Sequence, residues 1–385
     1  MASQSTELMG HFNRLLSLPS ISSANPDLDM SNNPVIDYLA TCFEDLGFRC
    51  EIIACPTHSG NPKTNLIATL GEGPGGLVFA GHTDTVPVDA ALWSVDPFKL
   101  TQRDNRLYGL GSTDMKGFFA LVMEAVRPFL DAPLKQPIIV LATADEETSM
   151  HGARTLVQQG YPRARHAIIG EPTSLIPVRG HKGVMMEAIR IQGSSGHSSD
   201  PSLGRNALDA MYYVIGELMT LREELKQQYR NPLFKIDHPT LNLGCIHGGD
   251  NPNRICGHCA LEIDIRIMPD MDIDGTRELL VRRLTPLSTR LGVQLSVEPL
   301  FAGAPAFAAE ADSLLLSTIE KLTGQSGITV AFGTEAPFLK ELGMDTVVFG
   351  PGNIDQAHQP DEFLALEMVS PCIDYLQKTI KMICL

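Results

Sequence analysis

The sequence predicts an α/β fold with a smaller split-βαβ, ferredoxin-like domain inserted into it. Short, almost unbroken apolar runs alternate with helical patterns over the first 180 residues. A middle stretch changes to alternating polar and apolar positions, and an apolar run of the first kind returns near the C-terminus. Unbroken runs suit strands buried on both faces, whereas alternation suits a sheet covered on one face.

In chain order, Leu77–Ala80 reads as the first buried strand. Lys116–Leu130 reads as a helix, with Phe119, Val122, Met123, Ala125 and Val126 on a broad apolar side. Pro137–Ala142 and Ala167–Ile169 are further buried strands. Val184–Gln192, Thr240–Ile246, Ala260–Met268 and Gln294–Val297 then read as strands of the second kind. In the third of these, Leu261, Ile263, Ile265 and Ile267 alternate with Glu262, Asp264, Arg266 and Met268. Arg205–Tyr229 and Ile273–Arg290 are helical, which completes the order β-α-β-β-α-β of the split βαβ motif. Thr346–Phe349 resumes the first sheet. The expected division is therefore 1–180 and 301–385 for one domain, with 181–300 inserted.

Composition narrows the function classes. The chain has 385 residues, long enough for two or three domains, and 43% of them are hydrophobic. With 30 Lys and Arg against 45 Asp and Glu, the formal charge is −15. That balance argues against nucleic acid or an anionic membrane as partner, since phosphates would be repelled. No apolar run approaches the roughly 18 residues of a membrane span. The N-terminus lacks a basic segment followed by an apolar core, so a cytoplasmic protein is expected. The eight cysteines are scattered and read as reduced thiols. Cys256-Gly-His-Cys259 has CxxC spacing, but no second pair follows, and a zinc knuckle is rejected.

The chemistry lies at the ends of the predicted strands, where α/β sheets bind their ligands. The first strand runs into Gly81-His82-Thr83-Asp84, and Pro137–Ala142 leads to Asp145-Glu146-Glu147. Ala167–Ile169 ends in Gly170-Glu171-Pro172, and Thr346–Phe349 feeds a Gly- and Pro-rich loop reaching His358. Asp114 precedes the Lys116 helix. Each of these alone has an ordinary reading: a loop histidine, a helix cap, a turn aspartate, a solvated pair of glutamates. Their coincidence at independent strand ends points to a metal site, because crowded carboxylates resist ionisation unless cations neutralise them. Two histidines and three carboxylates, one of them bridging, would give each of two metals three ligands and leave room for a shared water.

His82-Thr-Asp84-Thr-Val-Pro87, Gly109-Leu-Gly-Ser-Thr-Asp114-Met-Lys-Gly117, Asp145-Glu146-Glu147-Thr148 and Gly170-Glu171-Pro172-Thr173 resemble the dinuclear zinc aminoacylase/carboxypeptidase family. The likeness spans essentially the whole chain, including Thr334-Glu-Ala-Pro-Phe338 and Gln356-Ala-His-Gln-Pro-Asp-Glu362. The resemblance implies a zinc-peptidase-like catalytic domain and an inserted domain that forms a homodimer. It implies two divalent ions, zinc with cobalt able to substitute: His82, Asp114 and Glu171 for one, and Asp114, Glu147 and His358 for the other. By the same resemblance Glu146 is the general base, and the Asp84 carboxylate accepts the free ring N–H of His82. Glu146 and Glu147, as neighbours on an extended segment, would point opposite ways. His197 would reach the partner subunit's site, and Asn253 and Arg266 would bind a substrate α-carboxylate; Arg266 reads equally as a strand residue paired with Asp264. The peptide bond after Asp114 is expected to be cis. The implied reaction is removal of acetate from Nα-acetyl-L-ornithine, a step of arginine synthesis. The alternatives are a desuccinylase or dipeptidase, or a non-catalytic metal-binding protein on the same fold.

Overall fold

The computed structural model describes residues 5–57 and 60–385. Two compact units emerge. The first runs up to Arg179 and resumes over Ala309–Ile328 and Thr334–Leu385; the second comprises Gly180–Ala308 and Thr329–Gly333. The second unit thus extends eight residues past the expected end at 300, to Ala308, and takes in a short later segment.

In the first unit the central sheet begins with strands Arg49–Cys55, Lys63–Leu70, Ile138–Thr143, Leu77–His82, His166–Ile169 and Asp345–Val348, in that spatial order. Leu77–His82 is parallel to both its neighbours, and Asp345–Val348 is parallel to His166–Ile169. Four strands therefore deliver their carboxyl ends to one edge of the sheet. Leu77–His82, Ile138–Thr143 and His166–Ile169 are buried at every position, which is why they read as unbroken apolar runs. The helix Lys116–Val126 packs its Phe118, Phe119, Val122 and Met123 into the same core and passes into a 3₁₀ turn at Arg127–Phe129, where Pro128 cannot continue the helical ladder.

The expectations omit four N-terminal elements: helices Thr6–Leu16 and Asn33–Asp45 and strands Arg49–Cys55 and Lys63–Leu70. The first helix buries Leu8, Phe12, Leu15 and Leu16, a spacing of one helical face, beneath a Ser5 side-chain cap.

The second unit has strands Gly183–Gln192, Thr240–Gly248, His258–Ile267 and Gln294–Pro299 and helices Ala207–Gln228 and Ile273–Leu291. Its antiparallel sheet has the spatial order second, third, first, fourth, the split βαβ arrangement. Leu261, Ile263, Ile265 and Ile267 are buried, with Leu218, Leu280 and Leu284 of the two helices in the same cluster. Among the described residues no helix is long and apolar enough to cross a membrane. All eight cysteines are free, and the Cys256 thiol donates to the His258 carbonyl at 3.0 Å.

Candidate active site and metal centre

At the carboxyl edge of the first unit's sheet, His82, Asp114, Glu146, Glu147, Glu171 and His358 converge. Close backbone approach makes this convergence possible. A Cβ on Gly170 would sit 2.2 Å from Phe118, and one on Gly350 would sit 2.3 Å from the Gly170 carbonyl. Glycine at both positions lets the two strand ends close on each other and sets Glu171 at the edge.

His82 is buried, and its Nδ1 lies 2.9 Å from the Asp84 main-chain carbonyl. A carbonyl can only accept, so Nδ1 carries the proton and Nε2 is the atom left to face the site. Nε2 is 3.1 Å from Asp114 Oδ1 and 4.0 Å from Glu171 Oε1. The other Asp114 oxygen, Oδ2, is 3.4 Å from His358 Nε2, which also lies 3.0 Å from Glu147 Oε2. Asp114 thus turns one oxygen toward each histidine, the disposition a bridging carboxylate requires. The Asp114–Met115 peptide bond is cis, as expected.

The ligand atoms of His82, Asp114 and Glu147 lie within 4.8 Å of one another, and so do those of His82, Glu146 and Glu171. Glu146 therefore stands as near the first set as the expected ligands do. Glu146 and Glu147 occupy a turn rather than an extended segment, entered through Asp145 at φ 58°. The difference follows from what holds them: the Glu146 and Glu147 amides both donate to the buried Asp84 carboxylate, at 3.2 and 3.0 Å. That carboxylate stands 3.8 Å from His82 Nδ1, so the main-chain carbonyl of Asp84, not its side chain, orients the ring. The expected carboxylate–imidazole pairing is corrected accordingly.

The electrostatics mark a place that demands positive charge. Burial would push the His82 pKa down, but Asp114, Glu171, Asp84 and Glu146 outweigh it and raise it well above the usual value. His358 is pushed up to about 10 by its hydrogen bonds to Asp114 and Glu147. Burial favours a protonated Asp114, yet the two imidazoles hold its carboxyl below the ordinary carboxylate range. Burial and surrounding carboxylates raise Glu146 and Glu171. Divalent cations would neutralise this crowd of carboxylates, and the N/O donor set fits zinc-type ions.

Three contributors escape a sequence reading. The buried Lys63 ammonium bridges Asp29 Oδ1 at 2.9 Å and Asp145 Oδ1 at 2.8 Å, fixing the residue before Glu146. Glu335, fully buried, accepts from the Thr143 hydroxyl at 2.7 Å, and burial pushes its pKa up to about 7. Glu362 binds the backbone that carries Asp114. The only signal for Glu335 and Glu362 is that they stand in stretches carrying the family likeness.

His197, Asn253 and Arg266 belong to the second unit. His197 is exposed, its Nδ1 2.7 Å from Ser199 Oγ, and it forms a backbone bridge with Arg254. The Asn253 carbonyl accepts the Ser198 amide at 3.1 Å, which joins the His197 and Asn253 segments. Arg266 Nε donates to Asp264 at 3.0 Å.

Residues 78–382 match the model of peptidase family M20/M25/M40. The chain belongs to that family. It is 48% identical over 373 residues to the acetylornithine deacetylase of Pasteurella multocida (strain Pm70), covering 97% of each chain. It is similar in fold to an M20 family metallo-carboxypeptidase from Sulfolobus solfataricus, with TM-score 0.76, 19% identity and 99% of both chains covered. A dinuclear metal-binding M20 peptidase from Bacillus subtilis aligns with TM-score 0.67 and 15% identity over 98% of both chains. As an M20 family member, the protein is a metal-dependent hydrolase, and the carboxylate–histidine cluster is the part of this chain whose donors fit that chemistry.

Proposed function

We propose that this M20 hydrolase cleaves Nα-acetyl-L-ornithine to L-ornithine and acetate. The observation that carries the reading is near-full-length identity of 48% to proteins named for that activity. His82, Asp114 and Glu171 would hold one divalent ion, and Asp114, Glu147 and His358 the other, with zinc as the native metal and cobalt able to replace it. Such ions lower the pKa of a water toward about 7 and polarise an amide carbonyl. Glu146 takes the proton of the attacking water as the C–O bond forms at the acetyl carbon. It then delivers that proton to the departing amine nitrogen as the C–N bond breaks. An amide nitrogen leaves poorly unless protonated, so this return is as necessary as the first transfer.

The second unit is assigned to dimerisation, with His197 of the partner subunit donating to the oxyanion and Asn253 and Arg266 holding the α-carboxylate. The whole reads as a cytoplasmic homodimer. The test compares ornithine release from acetylornithine with release of diaminopimelate from its succinyl derivative, before and after chelation. Ornithine release that a chelator abolishes and Zn²⁺ or Co²⁺ restores is expected. Preference for the succinyl substrate, or full activity in metal-free protein, overturns the reading.

A further inference from the structure

Asp114 has to aim two oxygens in two directions, and its own segment offers little to hold it. Residues 109–114 form a loop ahead of the helix Lys116–Val126, whose cap residue Met115 makes no side-chain cap bond. The Leu110 and Ser112 amides bond to the Pro97 and Gly109 carbonyls, but the others are satisfied from 248 or more residues away. Glu362, 1% exposed, accepts the Thr113 amide at 2.7 Å and the Asp114 amide at 3.0 Å on Oε1, and the Gly111 amide at 3.0 Å on Oε2. The Gly109 amide donates to the Glu362 carbonyl at 3.1 Å, and the Thr113 hydroxyl to the Phe363 carbonyl at 2.6 Å. Three backbone N–H groups converging on one carboxylate make an anion-binding concavity, filled here by a side chain of the same protein. Every one of these partners donates, so both carboxyl oxygens of Glu362 serve as acceptors. The buried Lys116 Nζ donates to the Leu18 carbonyl at 2.9 Å.

The position of this clamp in the chain matters as much as its bonds. Glu362 follows His358 by four residues. One short segment therefore presents His358 to Asp114 Oδ2 and, through Glu362, grips the Asp114 main chain. We infer that Glu362 is a positioning residue: it fixes the backbone from which Asp114 would bridge the two cations and locks that backbone to the loop bearing His358. The inference rests on the metal-site reading proposed above and names the residue that sets its geometry.

Glu362→Gln keeps the shape but replaces one acceptor oxygen by an NH₂ group, which faces an N–H and cannot accept. Glu362→Asp keeps the charge and shortens the reach. Each variant is chelator-treated and titrated with Zn²⁺ against a chromophoric chelator, and its melting is followed separately. Glu362→Gln is expected to weaken binding of at least one zinc equivalent 10- to 100-fold, the size typical of losing a ligand's supporting partner. Glu362→Asp should fall between it and the wild type, and the loss in kcat should exceed any change in KM. Wild-type zinc affinity in a folded Glu362→Gln protein, with only its melting temperature lowered, overturns the inference. Failure of the wild type itself to bind two equivalents would instead overturn the metal reading. If neither Glu362 variant folds, Thr113→Val, which removes only the hydroxyl tie to Phe363, must weaken zinc binding measurably; unchanged affinity there overturns the inference.

Discussion

Replacing Asp84 by Asn separates two ways a buried carboxylate can serve this site. If Asp84 acted on the His82 ring, the variant would loosen a metal ligand. The structure has its two oxygens accepting the amides of Glu146 and Glu147 instead, at 3.2 and 3.0 Å, while the ring is held by the main-chain carbonyl. Asparagine offers one acceptor oxygen, so one amide keeps its partner and the other faces an NH₂ group. A hydrogen bond to a charged group contributes about 1.5–3 kcal/mol. If that loss falls on the placement of Glu146 at the transition state, kcat drops about 10- to 100-fold, at 1.36 kcal/mol per tenfold. The assay is kcat on acetylornithine at saturating substrate and metal, beside a zinc titration of the chelated protein. The first zinc equivalent should bind as in the wild type, because the main-chain carbonyl of residue 84 survives the substitution. Unchanged kcat, or a first equivalent weakened 10- to 100-fold, would refute the reasoning.

Glu146→Ala should retain metal while kcat falls by about 10²–10⁴-fold, as for loss of a general base, and Glu147→Ala should lose metal; equal metal loss in both would reassign the pair. Lys63→Met removes the cation shared by the Asp29 and Asp145 carboxylates and should cost about 3–5 kcal/mol in denaturant unfolding. Burial alone would lower the Lys63 pKa, but Asp145 and Asp29 raise it above its ordinary value. The lysine's contribution is therefore complete below the unfolded-state pKa and fades only as pH rises through the higher folded one. The stability gap between Lys63→Met and wild type should then be constant from pH 6 to 9, roughly, and a gap that closes within that range contradicts the pairing. His197→Ala and Glu146→Ala homodimers should each be nearly inactive, and activity should return when their subunits exchange; exchange without recovery would place His197 outside the partner's site.

What the sequence by itself determined is the frame and the donors at its ends. A strand buried on both faces must be apolar throughout, so its end is visible wherever His82, Asp145 or Gly170-Glu171 interrupts the run. The alternation of Leu261–Met268 likewise announces a one-sided sheet, because the pleat repeats every two residues. Likeness of motif then joined His358 and Asp114 to the same centre. Tertiary structure alone decided how those donors are held. Asp84 could have met a ring or a turn, and folding gave it two amides 62 and 63 residues away. Lys63 looks like any surface lysine until the chain buries it between Asp29 and Asp145. Glu362 reaches amides 248 to 251 residues distant. The reason is physical: a side chain's polarity is written in its residue type, but an unsatisfied backbone N–H belongs to every loop alike. Which carboxylate answers it depends on where folding brings the chain back.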